Sequence, residues 1–345
     1  MPATRIPPPP ARHAAERALL ERLQAEPGVS GDRLARESGT SRAAVWKRID
    51  ALRAAGVAID ARPGSGYALA RPLELLDAGR IGAGLPDEAS RALDGLAVAW
   101  TVDSTNAELL RQSAPARGAR VLLAERQTGG RGRRGRSWAS PLAGNLYGSV
   151  LRTFGRGLAG IGGLGIAAGV AAAEALCGLG YPVGLKWPND LVVVSGDRGG
   201  PLRKLGGLLV EGGGEHAGPV RAVVGIGINV RMPAAAAATI DQPWTDLAAL
   251  DPDAASRNTL ATALLAVLLP ALARFDRDGL APFLPRFAAC DVLAGRAVVV
   301  EAGDRRFTGT AAGIAADGGL RVRLDAGGDR VVHAGEVSVR AAGSR

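Results

Sequence analysis

The chain is poor in the residues that build disulfide frameworks and metal centres. Its 345 residues include two cysteines, Cys177 and Cys290, and three histidines. The cysteines lie far apart in the sequence, without CxxC or Cys/His spacing, so neither a disulfide framework nor a zinc site is predicted. We therefore expect a reducing compartment. Apolar residues make up 47% of the chain, which is enough for two or three domains with cores of their own.

Long apolar runs and a signal sequence are also lacking. No basic stretch followed by an apolar one opens the chain, and apolar stretches such as residues 260–273 are too short to span a bilayer. We expect a cytoplasmic protein that binds no membrane. The net charge of +9 invites a nucleic-acid interpretation, but Ala, Gly and Arg are abundant throughout, so the charge alone carries little weight.

The most informative segment packs four glycines and four arginines into eight residues, Gly129-Gly130-Arg131-Gly132-Arg133-Arg134-Gly135-Arg136. Glycine lets the backbone approach a ligand closely, and guanidinium groups form bidentate bonds to phosphate or carboxylate. Gly/Arg runs also occur in disordered RNA-binding segments. Here apolar stretches at residues 119–124 and 146–151 flank the run, so we interpret it as an anion-binding loop between two strands. Trp138 follows the loop and is suited to cover a flat ring.

The N-terminal part of the chain has the pattern of a small helical domain. Residues 1–10 are proline-rich and predicted to be disordered, whereas residues 11–70 suggest three helices and a hairpin. Ser30 and Ser41 cap the second and third helices, and Gly56 ends the third. This order is typical of a winged helix-turn-helix, although three-helix adaptor domains share it. The candidate DNA contacts are Ser41, Arg42, Ala43, Lys47 and Arg48.

The remainder of the chain predicts two further domains, which gives an α+β multidomain fold. Over residues 71–289 strands alternate with helices, and we interpret this part as an α/β catalytic domain whose central mixed sheet is covered by helices. Its strands are predicted at residues 97–102, 121–125, 146–151, 183–187, 191–194, 204–211 and 220–230, and its long helices at 160–179 and 258–278. Residues 290–345 contain five short alternating segments separated by Gly/Asp turns, which suggests an SH3-like β-barrel.

Three segments of the middle domain carry polar groups that folding does not require. Lys186-Trp187-Pro188-Asn189-Asp190 ends a strand with a cation, an amide and a carboxylate, which suits nucleotide phosphates and a divalent ion but also a turn with a salt bridge. Lys204 precedes Gly206-Gly207, where a strand without side chains admits a ligand or simply packs tightly. Gly225-Ile226-Gly227-Ile228-Asn229 repeats this device, with an amide suited to an adenine edge, but lacks the third glycine of a dinucleotide fingerprint.

Taken in order along the chain, these segments resemble the biotin protein ligases, in particular the bifunctional bacterial members that also repress the biotin operon. The resemblance covers nearly the whole chain and rests on Ser104-Thr105-Asn106, on Gln127-Thr128 with the Gly/Arg run and Ser137-Trp138, on Lys186 to Asp190, on Arg203-Lys204-Leu205-Gly206-Gly207-Leu208-Leu209-Val210-Glu211, and on Gly225 to Asn229. The segments Ser41-Arg42-Ala43-Ala44-Val45-Trp46-Lys47 and Gly335-Glu336-Val337-Ser338 resemble the flanking domains of the same proteins. Ser137 departs from the pattern, because many relatives carry a basic residue there.

The resemblance implies a two-step acyl transfer in which biotin and MgATP give biotinyl-5′-AMP, and a lysine of a biotin carboxyl carrier protein or domain then accepts the biotin. It implies that Lys204, Arg133 and Arg131 are catalytic. The implied biotin contacts are Ser104, Thr105, Asn106, Gln127, Gly130, Arg131, Gly132, Arg133, Lys204 and Gly207. The implied ATP contacts are Arg133, Arg134, Arg136, Trp138, Lys186, Asn189, Asp190 and Asn229, with Mg²⁺ at Asp190.

The same resemblance implies operator DNA as a second partner and a homodimer when the adenylate is bound. Two other functions share parts of the pattern. A lipoate-type ligase has the same fold, although the Gly/Arg loop and Lys204 resemble the biotin branch. A DNA-binding biotin sensor with little ligase activity would have no need to bind the phosphates of ATP, so the complete set of phosphate-directed residues favours an enzyme.

Overall fold

A computed structural model describes residues 11–62, 64–196, 199–214, 218–302, 305–333 and 337–341. The predicted disordered tail, residues 1–10, lies outside the described residues, as do Gly335 and Glu336 of the C-terminal motif. The predicted boundaries at residues 70/71 and 289/290 stay predictions.

The first elements form the winged helix-turn-helix that the sequence predicts: α1 (Ala11–Ala25), α2 (Gly31–Glu37), α3 (Arg42–Ala54), β1 (Ile59–Arg62) and β2 (Gly66–Leu69). Both predicted caps are present, because Ser30 Oγ accepts the Arg33 amide and Ser41 Oγ accepts the Ala44 amide, each at 3.2 Å. Gly56 follows α3 with φ +103°, a left-handed conformation that favours glycine. Strands β1 and β2 pair antiparallel as the wing.

The central domain is built on a seven-stranded mixed sheet with the order β3-β4-β5-β9-β8-β7-β6. Strand β3 runs parallel to β4, and every other neighbouring pair is antiparallel. The strands are β3 (Leu93–Val102), β4 (Ala119–Gln127), β5 (Leu146–Phe154), β6 (Val183–Lys186), β7 (Asp190–Val194), β8 (Leu202–Gly214) and β9 (Val220–Ile228). The sequence located all seven strands, and it placed their ends within a few residues.

Helices cover both faces of this sheet, and most of the short ones were not predicted from the sequence. They are α4 (Ala78–Ala83), α5 (Asp87–Arg91), α6 (Thr105–Leu110), α7 (Gly157–Gly160), α8 (Leu164–Gly178), α9 (Ala234–Ala237), α10 (Leu247–Leu250), α11 (Arg257–Asp278) and α12 (Leu284–Cys290). Helices α8 and α11 pack on one face, whereas Leu109 of α6 packs on the other with Leu122 and Leu151. The predicted helix over residues 160–179 is wrong at its start, because Gly163 adopts φ +85° and α8 begins after it.

Helix α11 is longer than the apolar run at residues 260–273, which by itself is too short to span a bilayer. Its 22 residues are long and apolar enough to cross a bilayer by length and composition alone. Its apolar side chains instead lie in the core of the central domain, where Leu264, Leu268 and Phe275 are buried. This burial is the behaviour of a core helix in a globular domain.

The last strands form a small antiparallel sheet, in the order β13-β12-β11-β10-β14, in the segment for which the sequence predicted an SH3-like β-barrel. They are β10 (Ala297–Ala302), β11 (Arg305–Ile314), β12 (Leu320–Leu324), β13 (Asp329–Val332) and β14 (Val337–Ala341). This sheet shares one apolar core with the central domain, to which Val300 and Val322 contribute. Trp187 adds a buried ring whose Nε1 donates to the carbonyl of Gly318 at 3.0 Å.

A buried ion pair ties the segment between the first two domains to the central sheet. Glu125, near the end of β4, accepts from Arg257 Nη2 at 2.7 Å and from the Leu76 amide at 2.6 Å. Arg257 Nη1 also donates to the carbonyl of Glu74 at 2.8 Å. The helix-turn-helix itself contacts the segment after the Gly/Arg loop, where the Leu142 amide donates to the carbonyl of Ala55 at 2.8 Å.

We expect Glu125→Ala to destabilise the protein strongly, because it leaves the Arg257 guanidinium buried without its counter-charge, a loss of about 3–5 kcal/mol. Thermal unfolding followed by circular dichroism measures the change. The matched control is Glu21→Ala, which breaks the exposed Arg17–Glu21 pair and should cost at most about 1 kcal/mol. Equal melting temperatures for the two variants would contradict the proposed importance of the buried pair.

Candidate active site

A cleft of about 780 Å³ opens on the face of the central sheet that carries α6. With one exception, the predicted biotin and ATP contacts line this cleft: Ser104, Thr105, Asn106, Gln127, Arg131, Gly132, Arg133, Arg134, Arg136, Trp138, Lys186, Asn189, Asp190, Lys204, Gly207 and Asn229. Gly130 lies behind the lining, where a Cβ would meet the Trp138 carbonyl oxygen and Ser140 Oγ at 2.8 Å. Five segments that are separate in the sequence therefore meet in one cleft, as their predicted shared role requires.

The Gly/Arg run forms the loop between β4 and β5 and is held by its own backbone. The Gly132 amide donates to the Arg136 carbonyl at 2.7 Å, and the Trp138 amide donates to the Gly130 carbonyl at 2.9 Å. Arg134 adopts φ 58°, a left-handed conformation that is uncommon for a residue with a side chain. Such conformations persist only where the surrounding structure holds them in place, and they cluster at ligand-binding sites.

Within this loop Arg133 reaches across the cleft to Asn189, directly before β7. Its Nη1 donates to Asn189 Oδ1 at 3.3 Å. Burial lowers the pKa of the Arg133 guanidinium, with Asp190 acting against this shift and the neighbouring Arg134 adding to it. A bound anion would lie beside a partly desolvated cation at this position, where charge-assisted hydrogen bonds are strong.

Lys204 forms the second cationic point of the cleft. Its Nζ lies 2.7 Å from Asp190 Oδ1, and both side chains are about four-fifths buried. The same ammonium group lies 5.5 Å from the centroid of the Trp138 ring. Gly207 leaves room for the lysine, because a Cβ there would come within 3.3 Å of Lys204 Cε. Asp190 is therefore the counter-ion of Lys204 in this structure.

A chain of buried hydrogen bonds lines the end of the cleft near α6. Thr105 Oγ1 donates to Gln127 Oε1 at 3.2 Å, and Ser149 Oγ lies 2.7 Å from Thr105 Oγ1 and 2.5 Å from Asn106 Oδ1. Asn106 Nδ2 donates in turn to Glu211 Oε2 at 2.7 Å. Ser104 caps α6 by accepting the Ala107 amide at 3.5 Å. These groups present donors and acceptors in fixed positions, as recognition of a polar, uncharged ring requires.

The sequence missed two members of the hydrogen-bond network at this end of the cleft. Ser149 stands alone in an apolar strand and is buried, and its hydroxyl connects two predicted ligand contacts. Glu211 is the last residue of the motif that begins at Arg203, and no contact was predicted for it. In the structure its Oε1 lies 3.5 Å from Arg131 Nη2. A polar residue at an inward position of a strand was the available signal for Ser149. No local pattern indicated that Glu211 would face the Gly/Arg loop.

Two glycines of β9 lie directly beneath side chains of the cleft, Gly227 beneath Trp138 and Gly225 beneath Asn106. A Cβ on Gly227 would lie 2.6–2.8 Å from the indole, and one on Gly225 would collide with the amide of Asn106. The indole nitrogen of Trp138 is buried and has no hydrogen-bond partner in the described part of the chain. The Trp138 ring therefore lies directly on the backbone of β9, at a position where the sequence left open either a bound ligand or a tightly packed strand.

Two predicted amide contacts also have structural partners. Asn229 is 4% exposed and its Nδ2 donates to the Thr245 carbonyl at 3.1 Å, while Asn189 Nδ2 donates to the Leu208 carbonyl at 2.6 Å. Asn229 thus keeps mainly its oxygen for other contacts, whereas the oxygen of Asn189 already accepts from Arg133. Residues 239–244, which the sequence did not single out, line the cleft as well.

Among the residues that the structure describes, no cluster of three or more His, Cys, Asp or Glu side chains could hold a metal by itself.

The predicted DNA contacts lie together at the start of α3, far along the chain from this cleft. Ser41 caps the helix, Arg42, Ala43 and Lys47 are exposed, and Arg48 is half-buried. The Arg42 guanidinium lies 3.7 Å from the Asp32 carboxylate, an exposed contact that contributes little to stability.

Comparison with known proteins accounts for all three parts of the chain. Residues 16–68 match a helix-turn-helix domain family, residues 98–229 the Biotin/lipoate A/B protein ligase family, and residues 294–340 the Biotin protein ligase C terminal domain. The bifunctional ligase/repressor BirA of Salmonella typhimurium is 38% identical over 316 residues, 91% of this chain and 93% of that protein. BirA of Escherichia coli is equally similar, 38% over 318 residues with the same coverage.

A solved structure also matches most of the chain. The biotin protein ligase from Aquifex aeolicus in complex with biotin and ATP matches with a TM-score of 0.58 and 26% identity, covering 72% of this chain and 100% of that one.

We expect Gly227→Ala to weaken ATP binding sharply, because the added methyl group must displace the Trp138 ring from the floor of the cleft. Ligand-induced stabilisation in thermal unfolding, with ATP and biotin added separately, reports each affinity. The control is Gly213→Ala, at a strand position where a Cβ would meet nothing within 4 Å. Unchanged stabilisation by ATP in Gly227→Ala would show that the Trp138 ring does not form part of the nucleotide site.

Proposed function

The chain belongs to the biotin protein ligases, in their bifunctional ligase and repressor branch, and from this premise we propose how its cleft carries out the reaction. Its enzymatic function is that of an ATP-dependent biotin–[acetyl-CoA-carboxylase] ligase. It forms biotinyl-5′-AMP from biotin and ATP, transfers the biotin to a lysine of a biotin carboxyl carrier domain, and acts as a biotin-responsive repressor. The observation that carries the proposal is the convergence of the Gly/Arg loop and Lys204 on one cleft.

The first step has to bring two anions together. A carboxylate oxygen of biotin attacks the α-phosphorus of ATP, a P–O bond forms, and pyrophosphate leaves. Electrostatic repulsion opposes this encounter, and charge accumulates on the phosphoryl oxygens in the transition state. Fixed cations lower both barriers, because they are already oriented and need no reorganisation. We assign Arg131 and Arg133 to the biotin carboxylate and the α-phosphate, and Arg134 and Arg136 to the remaining phosphates.

Lys204 would bridge the two reacting groups. In the structure its ammonium group is paired with Asp190 and positioned beside Trp138. When the carboxylate and the α-phosphate arrive, Lys204 would exchange Asp190 for them. Asp190 would then be available to Mg²⁺ on the ATP phosphates. This arrangement suits Mg²⁺, which is commonly held by one or two carboxylates together with substrate phosphates.

Biotin and ATP would occupy opposite ends of the cleft. We place the biotin rings against Ser104, Thr105, Asn106 and Gln127, with the backbone of Gly130, Gly132 and Gly207 allowing close approach. The adenine would lie against Trp138, with the Asn229 oxygen at its edge, and the triphosphate would reach Lys186, Asn189 and Asp190. Asn229 contributes an acceptor in this proposal, because its donor is bound to the Thr245 carbonyl.

The second step requires no nucleophile from the enzyme. The ε-amino group of the carrier lysine attacks the carbonyl carbon of the mixed anhydride, a C–N bond forms, and AMP leaves with the bridging oxygen. The lining of the cleft includes no cysteine among the described residues. Of its serines, Ser104 caps α6 and Ser137 follows the Gly/Arg loop, and the proposed reaction uses neither as a nucleophile. Activation thus resides in the acyl phosphate itself.

We further propose a cytoplasmic protein that forms a homodimer when the adenylate is bound. A dimer would place two winged helix-turn-helix domains on a two-fold symmetric operator, as dimeric proteins of this type do on DNA.

We expect Lys204→Ala and Arg133→Ala to abolish adenylate formation while leaving the fold intact, since both side chains face the cleft. Pyrophosphate release from biotin and ATP measures the reaction, and circular dichroism checks the fold. Arg274→Ala is the matched control, because it removes an exposed arginine from α11 far from the lining residues. Normal pyrophosphate release by either cleft variant would refute the assignment of that residue.

We expect operator binding to strengthen when biotin and ATP are both present, because a dimer doubles the contacts with DNA phosphates. Fluorescence titration of duplex DNA from upstream of biotin-synthesis genes measures it, at several salt concentrations. Each lost phosphate contact should reduce the slope of log affinity against log salt by about 1 per half-site, so Lys47→Ala should flatten it. DNA binding of equal strength with and without the two substrates would contradict the proposed regulation.

A further inference from the structure

The helix assigned to DNA carries one large apolar side chain on its solvent side. Trp46 is 55% exposed, whereas the other four tryptophans of the chain are buried or half-buried. Trp46 makes no hydrogen bond or ring contact with any residue that the structure describes. Single exposed apolar residues are common on protein surfaces, so the exposure of Trp46 alone indicates no function. Its position on the helix assigned to DNA does indicate one.

The inward and outward faces of α3 are clearly separated. Val45, Ile49 and Leu52 recur at helical spacing and are buried in the core of the N-terminal domain. The outward face consists of small, charged and aromatic residues that are all exposed: Arg42, Ala43, Trp46, Lys47 and Asp50. Trp46 is the fifth residue of the helix, and in helix-turn-helix proteins the N-terminal residues of this helix contact base edges.

The basic residues of α3 have different roles in the structure. Arg53 is committed to the wing, because its Nε and Nη2 donate to the Ile59 carbonyl at 2.9 and 2.7 Å. Arg42 and Lys47 extend from the exposed face on either side of Trp46 and are suited to phosphates. If these cations lie along the two strands of a duplex, the indole between them faces the base pairs.

An indole in the major groove meets one apolar surface, the C5-methyl group of thymine. The other base edges in this groove are hydrogen-bond donors and acceptors, and Asp50, one turn further along α3, is suited to accept from a cytosine amino group. Ala43 lies one turn before Trp46 and leaves space for the indole to approach the base pairs.

We propose that Trp46 is a specificity-determining residue that reads thymine methyl groups, so that an A·T base pair is selected opposite it in each half-site. The proposal rests on the DNA binding assigned above and goes beyond it, because it separates the contact that selects sequence from the contacts that supply affinity. Lys47 and Arg42 contribute salt-dependent affinity, whereas Trp46 contributes salt-independent discrimination.

Selection from a random-sequence duplex library, with the full-length protein, biotin and ATP, tests the proposal without a known operator. Wild type, Trp46→Ala, Trp46→Phe and Lys47→Ala are compared. We expect the wild type to enrich a two-fold symmetric motif, Trp46→Ala to lose the preference for thymine at one position of each half-site, and Trp46→Phe to retain it in part. Lys47→Ala should keep the motif and bind it more weakly. Pyrophosphate release confirms that each variant is folded and forms adenylate.

The selected duplex then permits a direct test with uracil in place of the thymine, which removes only the methyl group. We expect wild-type affinity to fall about 4-fold for each half-site substituted, or about 15-fold for both, as for loss of one buried methyl contact per half-site, and Trp46→Ala to bind both duplexes equally. The salt slope should be unchanged in Trp46→Ala and smaller in Lys47→Ala.

The outcomes separate the two claims. Enrichment of the same bases by wild type and Trp46→Ala, or equal loss of affinity on uracil substitution in both, would overturn the role of Trp46 and leave DNA binding intact. No enrichment by the wild type would overturn the proposed DNA binding and with it the role of Trp46.

Discussion

The concentration of positive charge in one cleft is the constraint on which the rest of this structure depends. Four arginines of one loop, together with Lys186 and Lys204, line the cleft. Its lining also includes the carboxylates of Asp190 and Asp241, and Glu211 lies beside Arg131. Cations at such close range repel one another, and partial burial weakens their hydration, as the lowered pKa of Arg133 indicates. An assembly of this kind is stable only when other parts of the fold hold it, and it is well suited to bind anions.

The fold supplies that support from several directions. The loop is held between two central strands of the sheet and by its own backbone hydrogen bonds. Behind it, the buried Glu125–Arg257 pair fixes the end of β4 and the segment that leads to the helix-turn-helix. On the opposite side, Trp187 is buried against the C-terminal sheet directly before the residues that reach the cleft. Ligand loop, DNA-binding domain and C-terminal domain thus meet around one sheet, which is the physical setting that a combined ligase and repressor needs.

The sequence predicted the local features well, because their causes are local. Serine caps, the glycine that ends α3, the strands around the Gly/Arg run and the family motifs all depend on a few adjacent residues. What it missed depends on tertiary contacts. Glu211 became visible only when β8 was placed beside α6 and the loop, and the hydrogen-bonding role of Ser149 only when β5 was placed beside α6. The break before α8 depends on the left-handed Gly163, and apolar periodicity does not report such a break. The structural partners of Asn189 and Asn229 are backbone carbonyls from distant segments, which no motif indicates.

The most direct measurement is a crystal structure of the protein with a non-hydrolysable analogue of biotinyl-5′-AMP. We expect Arg131, Arg133 and Lys204 to lie within hydrogen-bonding distance, about 2.7–3.2 Å, of the oxygens that represent the carboxyl and α-phosphate groups. We also expect Lys204 to have moved away from Asp190, and the adenine to lie on Trp138. An analogue bound with its phosphate group outside the Gly/Arg loop, and with the Lys204–Asp190 pair unchanged, would contradict the view that this cluster of cations joins the two anionic substrates.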